Sequence, residues 1–332
     1  VERCQRIWKL CGRPSNLDLV EDAAIHSYTN KLARAAAEFF ARHLLGKKLG
    51  RKIPSVAVFD PAKLWCTKSG QVLGEIPGAR TVHDENRDRV AAIVKAPRAA
   101  GRRWLRWRVC GRRQPCALNP RFVWTETLEE LTAELGFWWS QPGLINAGLL
   151  FRESARKGRR LPVTLAVWDG GTRVLAAHWD WLRAQCRAGR AVLVVDVSGT
   201  GSLLSHPLNG QPVQEFYGAI HKFADDLLWL DDDLAALRAF DVLRALDVIE
   251  EWPGLAADKI HCYAHGKHGV YAQLAAALDK RVKALTVVGG IGSYAEFVRA
   301  RQYDHHDIKS IVLRDILRHC DLPELKEWSK HL

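Results

Sequence analysis

The sequence predicts an α/β fold: a mostly parallel sheet with helices on both faces. Three observations carry this expectation. Runs that are apolar throughout alternate with helical patterns from residue 161 to residue 288, as strands covered on both sides do. An antiparallel pair, ELTAELGFWWS (130–140) and INAGLLFRE (145–153), precedes them, separated by the turn signal Gln141-Pro142-Gly143. The stretch KIHCYAHGKHGVYAQLAAAL (259–278) then reads as a strand, a tight turn and an Ala/Leu-rich helix.

Taken in order, VERCQRIWKLCG at the start has helical periodicity, and NLDLVEDAA (16–24) reads as a short strand with a polar exit. TNKLARAAAEFFARHLLGKK (29–48) is an amphipathic helix. Leu32, Ala36, Phe39 or Phe40, and His43 fall at helical spacing, and Lys47 and Lys48 suit its C-terminal dipole. Residues 51–121 mix a short strand, SVAVF (55–59), with turns at 67–71 and 76–80, and read as a connector or accessory region. From residue 122 onward the antiparallel pair leads into LPVTLAVWDGG (strand), VLAAHWDWLRAQCRAG (helix ended by Gly189) and AVLVVDVSGTG (strand). A helix then ends at Pro253-Gly254, and the strand–turn–helix and a last strand, VKALTVVGG, follow. YDHHDIKSIVLRDILRHCDLPEL (303–325) is expected to form helices and loops above the sheet.

The composition bounds the function classes. No apolar run reaches the ~18 to 20 residues a membrane span needs, so a soluble chain is expected and no membrane partner. The N-terminus lacks the apolar core of a signal peptide. It also lacks Met, as does the whole chain, so the expectation is that it does not begin where its gene begins. None of the eight cysteines forms a CxxC pair; they read as small apolar residues, Cys262 inside a core strand. The formal charge of +12 is uneven: GRRWLRWRVCGRRQPCALNPRF (101–122) sets seven Arg around two Trp. That is either a polyanion patch, with Arg on phosphates and Trp for stacking, or a strand or hairpin with a solvated basic face. With no nucleic-acid-binding signature beside it, the second reading is preferred; nucleic acid is not an expected partner, and acidic polysaccharide is a further candidate.

The strand–turn–helix resembles the nucleophile elbow of the α/β-hydrolase fold, whose motif is Gly-x-Ser-x-Gly. Here Ala264 stands at the first small position, then His265, then Gly266 at the nucleophile, then Lys267, His268 and Gly269. VLVVDVSGTGSLLSHPLNGQ and AFDVLRALDVIEEWPGLAADKI are similar to the preceding elements of the acetyl xylan esterase and cephalosporin-C deacetylase-like family. LDLVEDAAIHSYTNKLARAAAEFFARHLLG (17–46) resembles that family's last strand, catalytic-His loop and last helix, with His26 at the catalytic His position. The resemblance implies a tandem arrangement. Residues 1–50 would be the strand–His–helix tail of one hydrolase domain, 51–121 a connector with the Arg/Trp patch, and 122–332 a second, degenerate hydrolase domain. It also implies carboxylic-ester hydrolysis, namely deacetylation of O-acetylated carbohydrate without a cofactor, an exported protein, and as partner the rest of a tandem hydrolase or another copy of the chain.

Ester hydrolysis on this fold needs a Ser or Cys nucleophile, a His base, a carboxylate and backbone N–H donors. His26 can supply a base, but its Ser and Asp are not found in this chain, and Gly266 supplies nothing. The N–H of Lys267, and Gly170 and Gly171 of the WDGG loop, are candidate oxyanion donors, so an oxyanion pocket without an attacker is expected. An elbow residue sits at φ > 0, which costs a non-glycine residue roughly 1 to 3 kcal/mol; glycine removes that strain and keeps the turn. The readings left open are a substitute catalytic group at Lys267 or His268, a metal site from His265 and His268 with Asp304, His305, His306 and Asp307, or polar residues lining a disused pocket and bonding one another. The alternative functions are a non-enzymatic glycan- or partner-binding domain and a His-rich metal-dependent hydrolase. Asp196 and Asp241 read as structural, His43 and His221 as packing or surface residues, and Ser198 as a loop hydroxyl without a base.

Overall fold

The computed structural model describes residues 1–50, 58–156, 158–207 and 210–329. The chain divides into two units, Val1–Ala79 and Arg80–Leu332. The first is helical among its described residues: α1 (Glu2–Leu10), α2 (Asn30–Leu45) and α3 (Val72–Glu75). The Thr29 hydroxyl caps α2 by accepting the Leu32 N–H at 3.3 Å, and Gly46, at φ +62, ends it. Ala41 alone is buried among the described residues of this unit.

The strand expected at 16–24 does not form. A strand needs a ladder partner for its backbone groups, and the described residues of this unit offer none. Of the strand expected at 55–59, residues 55–57 lie outside the described residues, and 58 and 59 are not extended into a ladder.

The second unit opens with α4 (Val82–Ala91) and α5 (Arg98–Cys110), followed by β1 (Arg121–Leu128), β2 (Leu131–Gln141) and β3 (Leu144–Glu153). After these come β4 (Leu161–Trp168), α6 (Leu175–Arg187), β5 (Ala191–Asp196), α7 (Ala219–Trp229), α8 (Leu234–Glu251) and β6 (Leu255–His265). The unit ends with α9 (Gly269–Leu278), β7 (Val282–Val288), α10 (Tyr294–Arg299) and α11 (Leu322–Ser329). The Arg/Trp stretch is therefore helical over residues 101–110 rather than a strand or hairpin there, then turn and loop, with Arg121 and Phe122 opening β1. Leu105 and Val109, four apart, are both fully buried, and arginine is a good helix former.

One mixed sheet runs in the order β1-β2-β3-β5-β4-β6-β7. Its first three strands and the β3–β5 pair are antiparallel; β5, β4, β6 and β7 are parallel. Period-two alternation sorts the side chains. Val163, Leu165 and Val167 of β4 and Leu193 and Val195 of β5 face α5, α8, α9 and α11, in the larger core. Ala166, Trp168, Val192 and Val194 face α6, with Leu182 and Cys186. The expected antiparallel pair and parallel strands are all present, but an exposed edge strand, β1, precedes them. Among the described residues no helix is long and apolar enough to cross a membrane.

Candidate functional site

Strand β6 passes through Gly266, Lys267 and His268 into α9. The Gly266 N–H still donates to Val288 O of β7 at 2.8 Å, and its carbonyl accepts the Gly269 N–H at 3.1 Å, closing the turn. Gly266 has φ +77, so the bend is the left-handed one the sequence implied, and a β-carbon there would be strained. A second constraint comes from a neighbour. A β-carbon on Gly266 would lie 2.5 Å from Asp169 Oδ2.

Asp169 follows β4, and β4 pairs with β6 up to Trp168 opposite His265. This register brings Asp169 to the elbow. Its Oδ2 accepts the Lys267 N–H at 3.1 Å, and its Oδ1 accepts the His268 N–H at 2.8 Å. These donors form the start of α9, where the helix dipole favours an anion. The expected open oxyanion pocket is therefore absent at this end: the donor at Lys267 is taken by a carboxylate of the same chain. Gly170 (φ +82) and Gly171 (φ +55) do turn sharply, but the loop is fastened elsewhere. Asp196 accepts the Thr172 N–H at 2.7 Å and hydroxyl at 2.5 Å, and the Ser202 N–H and hydroxyl at 2.7 and 2.8 Å. A β-carbon on Gly171 would fall 2.1 Å from Asp196 Oδ1. Asp196 thus ties two loops together.

His268 is buried, with Nε2 3.1 Å from Asp307 Oδ2 and Nδ1 3.8 Å from Asp169 Oδ1. Asp307, at φ +50, sits 3.8 Å from the fully buried Arg238 guanidinium. Arg238 in turn donates to Ser198 O and to the Tyr271 hydroxyl, both at 2.9 Å, and that hydroxyl donates to Ser310 O at 3.0 Å. Burial pushes the Asp307 carboxyl up, but the His268 hydrogen bond and the Arg238 charge outweigh it and hold it below the ordinary carboxylate range. Burial pushes the Tyr271 phenol up to about 12. Lys267 is spoken for: its Nζ donates to Asp304 Oδ2 at 2.6 Å and to His306 O.

Beside Asp307 opens a cavity of about 270 Å³ whose walls include Phe216, His221, Tyr303, His306 and Lys309. His306 Nδ1 is 3.0 Å from Glu215 Oε1, and the Lys309 ammonium bonds Asp225 and lies 5.9 Å from the Phe216 ring centroid. The cavity therefore presents aromatic faces and polar groups that are largely paired.

The candidate metal ligands do not gather. His265 packs edge-on against His178 of α6 at 5.1 Å, His268 turns to Asp307, and His305 is exposed. Among the described residues no three His, Cys, Asp or Glu side chains converge as a metal-binding set. Asp241 bonds the Ser140 hydroxyl at 2.6 Å and the Ser198 N–H at 2.8 Å. His26 lies exposed in a bend of the first unit. Sequence reasoning missed Asp169; it did group His268 with Asp307 among polar residues bonding one another, and these two pair at 3.1 Å. The WDGG signal was read for its glycines, and the acidic residue beside them was the one that reaches the elbow.

No protein-family model matches the sequence, and no curated protein matches it. Among solved structures, a proposed acetyl xylan esterase from Bacteroides fragilis NCTC 9343 is similar with a TM-score of 0.63 at 11% identity, over 77% of this chain and 74% of that one. The acetyl xylan esterase from Paenibacillus sp. R4 gives 0.42 at 19%, over 76% and 69%, and the glucuronoyl esterase from Solibacter usitatus 0.37 at 19%, over 71% and 64%. The first of these likenesses shows the fold: an α/β fold with a mixed seven-strand sheet and flanking helices, like that of α/β-hydrolases.

Proposed function

We propose that this chain is a carbohydrate-esterase-type α/β-hydrolase protein whose sheet unit is a non-catalytic scaffold, binding an ester or glycan without cleaving it. One observation carries the reading. The Asp169 carboxylate fills the space a nucleophile's side chain would need and accepts both N–H groups of the elbow turn. An acyl-transfer site requires the reverse, an attacking group and free donors for the oxyanion. The buried His268–Asp307 pair has the composition of a base with its orienting acid, but among the described residues no serine or cysteine bonds the imidazole: the nearby Ser310 hydroxyl donates to the Asp307 carbonyl at 2.8 Å, and His268 Nδ1 has no hydrogen-bond partner. The names of the similar structures, two acetyl xylan esterases and a glucuronoyl esterase, support an ester-bearing carbohydrate as ligand class. The cavity beside Asp307, with Phe216 and Tyr303 in its walls, is the candidate seat.

The tandem assignment belongs to the same proposal. In it residues 1–50 are the tail of an upstream hydrolase domain, His26 serves that domain's serine, and residues 122–332 are the degenerate partner. The Thr29-capped helix after His26 supports it.

The test is hydrolysis of p-nitrophenyl acetate by the purified chain. Rates indistinguishable between the wild type, His26→Ala and His268→Ala are expected. Hydrolysis that survives His26→Ala and disappears in His268→Ala would overturn the scaffold reading.

A further inference from the structure

The Arg/Trp stretch is not absorbed by the reading above, and the structure divides it in two. On the C-terminal side three arginines are neutralised, and among the described residues Arg121 bonds only the Pro120 carbonyl. Arg108 bonds Asp233 at 2.7 Å, Arg112 bonds Asp231 at 2.6 Å, and Arg113 grips Asp232 with two bonds of 2.7 Å. Upstream, Lys95 bonds Glu324 at 2.8 Å. Between these paired ends lie Arg98, which donates to Glu327 O at 3.4 Å, and three further exposed arginines, Arg102, Arg103 and Arg106, flanking the buried face of Leu105 and Val109 on α5.

These three arginines line a groove of about 460 Å³ with Lys280, beyond the C-terminal end of α9. Two of them are held in place. Arg102 donates to Trp328 O at 3.1 Å and lies over the Trp328 ring, and Arg106 donates to Leu278 O at 2.9 Å. Each bond uses one Nη2 and leaves further donors of a planar fork already oriented. Among the described residues Arg103 and Lys280 have no side-chain partner. The groove's acidic group, Asp279, is taken by Arg281 at 2.6 Å.

We infer that this groove is a binding site for a compact oligophosphate, a small molecule or group carrying two or three linked phosphates. Guanidinium forks and a lysine point charge are the groups that recognise phosphate oxygens. Arg102 and Arg106 stand one helical turn apart, about 6 Å along the axis, which suits neighbouring phosphates on one ligand. The site is compact because the charge is confined. A polymer needs a continuous basic track with stacking platforms, whereas here the basic row is bounded by the Lys95–Glu324 and Arg108–Asp233 pairs, and the half-exposed Trp107 of the same helix is not part of the groove lining. The ring that borders the groove, Trp328, is buried under Arg102.

The experiment is calorimetric titration of the full chain with inorganic tripolyphosphate at low and raised salt. Saturable one-to-one binding is expected, weakened by salt and weakened at least about tenfold by Arg103→Ala or Lys280→Ala, the loss of one charge-assisted contact. Arg112→Ala, outside the groove, should bind as the wild type does. Both groove residues are exposed and unpartnered, so unchanged melting of either variant keeps the comparison valid. Absence of binding, or binding indifferent to both groove variants, would overturn the assignment. Tighter, variant-sensitive binding of a single-stranded oligonucleotide or of polygalacturonate would also overturn it, in favour of a polymer.

Discussion

Replacing Gly266 with alanine puts one methyl group at the point where the elbow, the strand and Asp169 meet. Two effects follow. The left-handed conformation costs an alanine about 1 to 2 kcal/mol. The methyl carbon would also sit 2.5 Å from Asp169 Oδ2, so the carboxylate must swing away and give up its bonds to the Lys267 and His268 N–H groups. Charge-assisted bonds are worth more than neutral ones when buried, but the Asp169 side chain is 48% exposed and water replaces part of the loss, leaving about 1 kcal/mol for the pair. The sum is about 2 to 3 kcal/mol, or a fall in Tm of roughly 4 to 12 °C for a unit of this size. Urea unfolding followed by tryptophan fluorescence measures it. The sharper test is the double-mutant cycle. If Asp169 holds the elbow, Gly266→Ala has already removed its contact, and adding Asp169→Ala should cost nothing further. Additive costs, or a Gly266→Ala variant as stable as the wild type, would refute the geometry.

Two further outcomes are expected. Asp307 is held below its unfolded value of about 3.9, so its ionised form contributes stability that is present above that pH and lost as pH falls through the folded value. Asp307→Asn should therefore be less stable than the wild type at pH 7, with the gap in urea midpoint closing below about pH 4; a gap that widens on acidification would contradict this. Burial pushes the thiols of Cys186, Cys262 and Cys320 up to about 12, whereas Cys4, Cys11 and Cys66 are exposed. A thiol reagent at pH 8 should label the exposed three at once and the buried three only on unfolding, as peptide mapping would show.

The sheet was legible because burial on both faces leaves unbroken apolar runs. The runs at 161–168 and 191–196 are strands β4 and β5, and the helix expected at 174–189 runs 175–187. The elbow was legible because Gly266 lies between a strand pattern and an alanine-rich helix pattern. Four things were not. β1 carries exposed residues along its whole length, so no buried face marked it. The strand expected at 16–24 had the right residue types but no partner, and partners are a property of the fold rather than of the segment. The Arg/Trp helix was obscured by its charge, although Leu105 and Val109 at i and i+4 were the available sign. Asp169 was beyond local reading altogether, since the backbone groups it caps lie 98 and 99 residues downstream.

The central claim is that the sheet unit holds no activated nucleophile. Incubation of the native chain with a serine-directed fluorophosphonate, followed by intact-mass measurement and peptide mapping, tests it most directly. No covalent adduct on residues 80–332 is the expected result. A stoichiometric adduct mapped to Ser198, Ser202 or Ser310, abolished by His268→Ala, would contradict it.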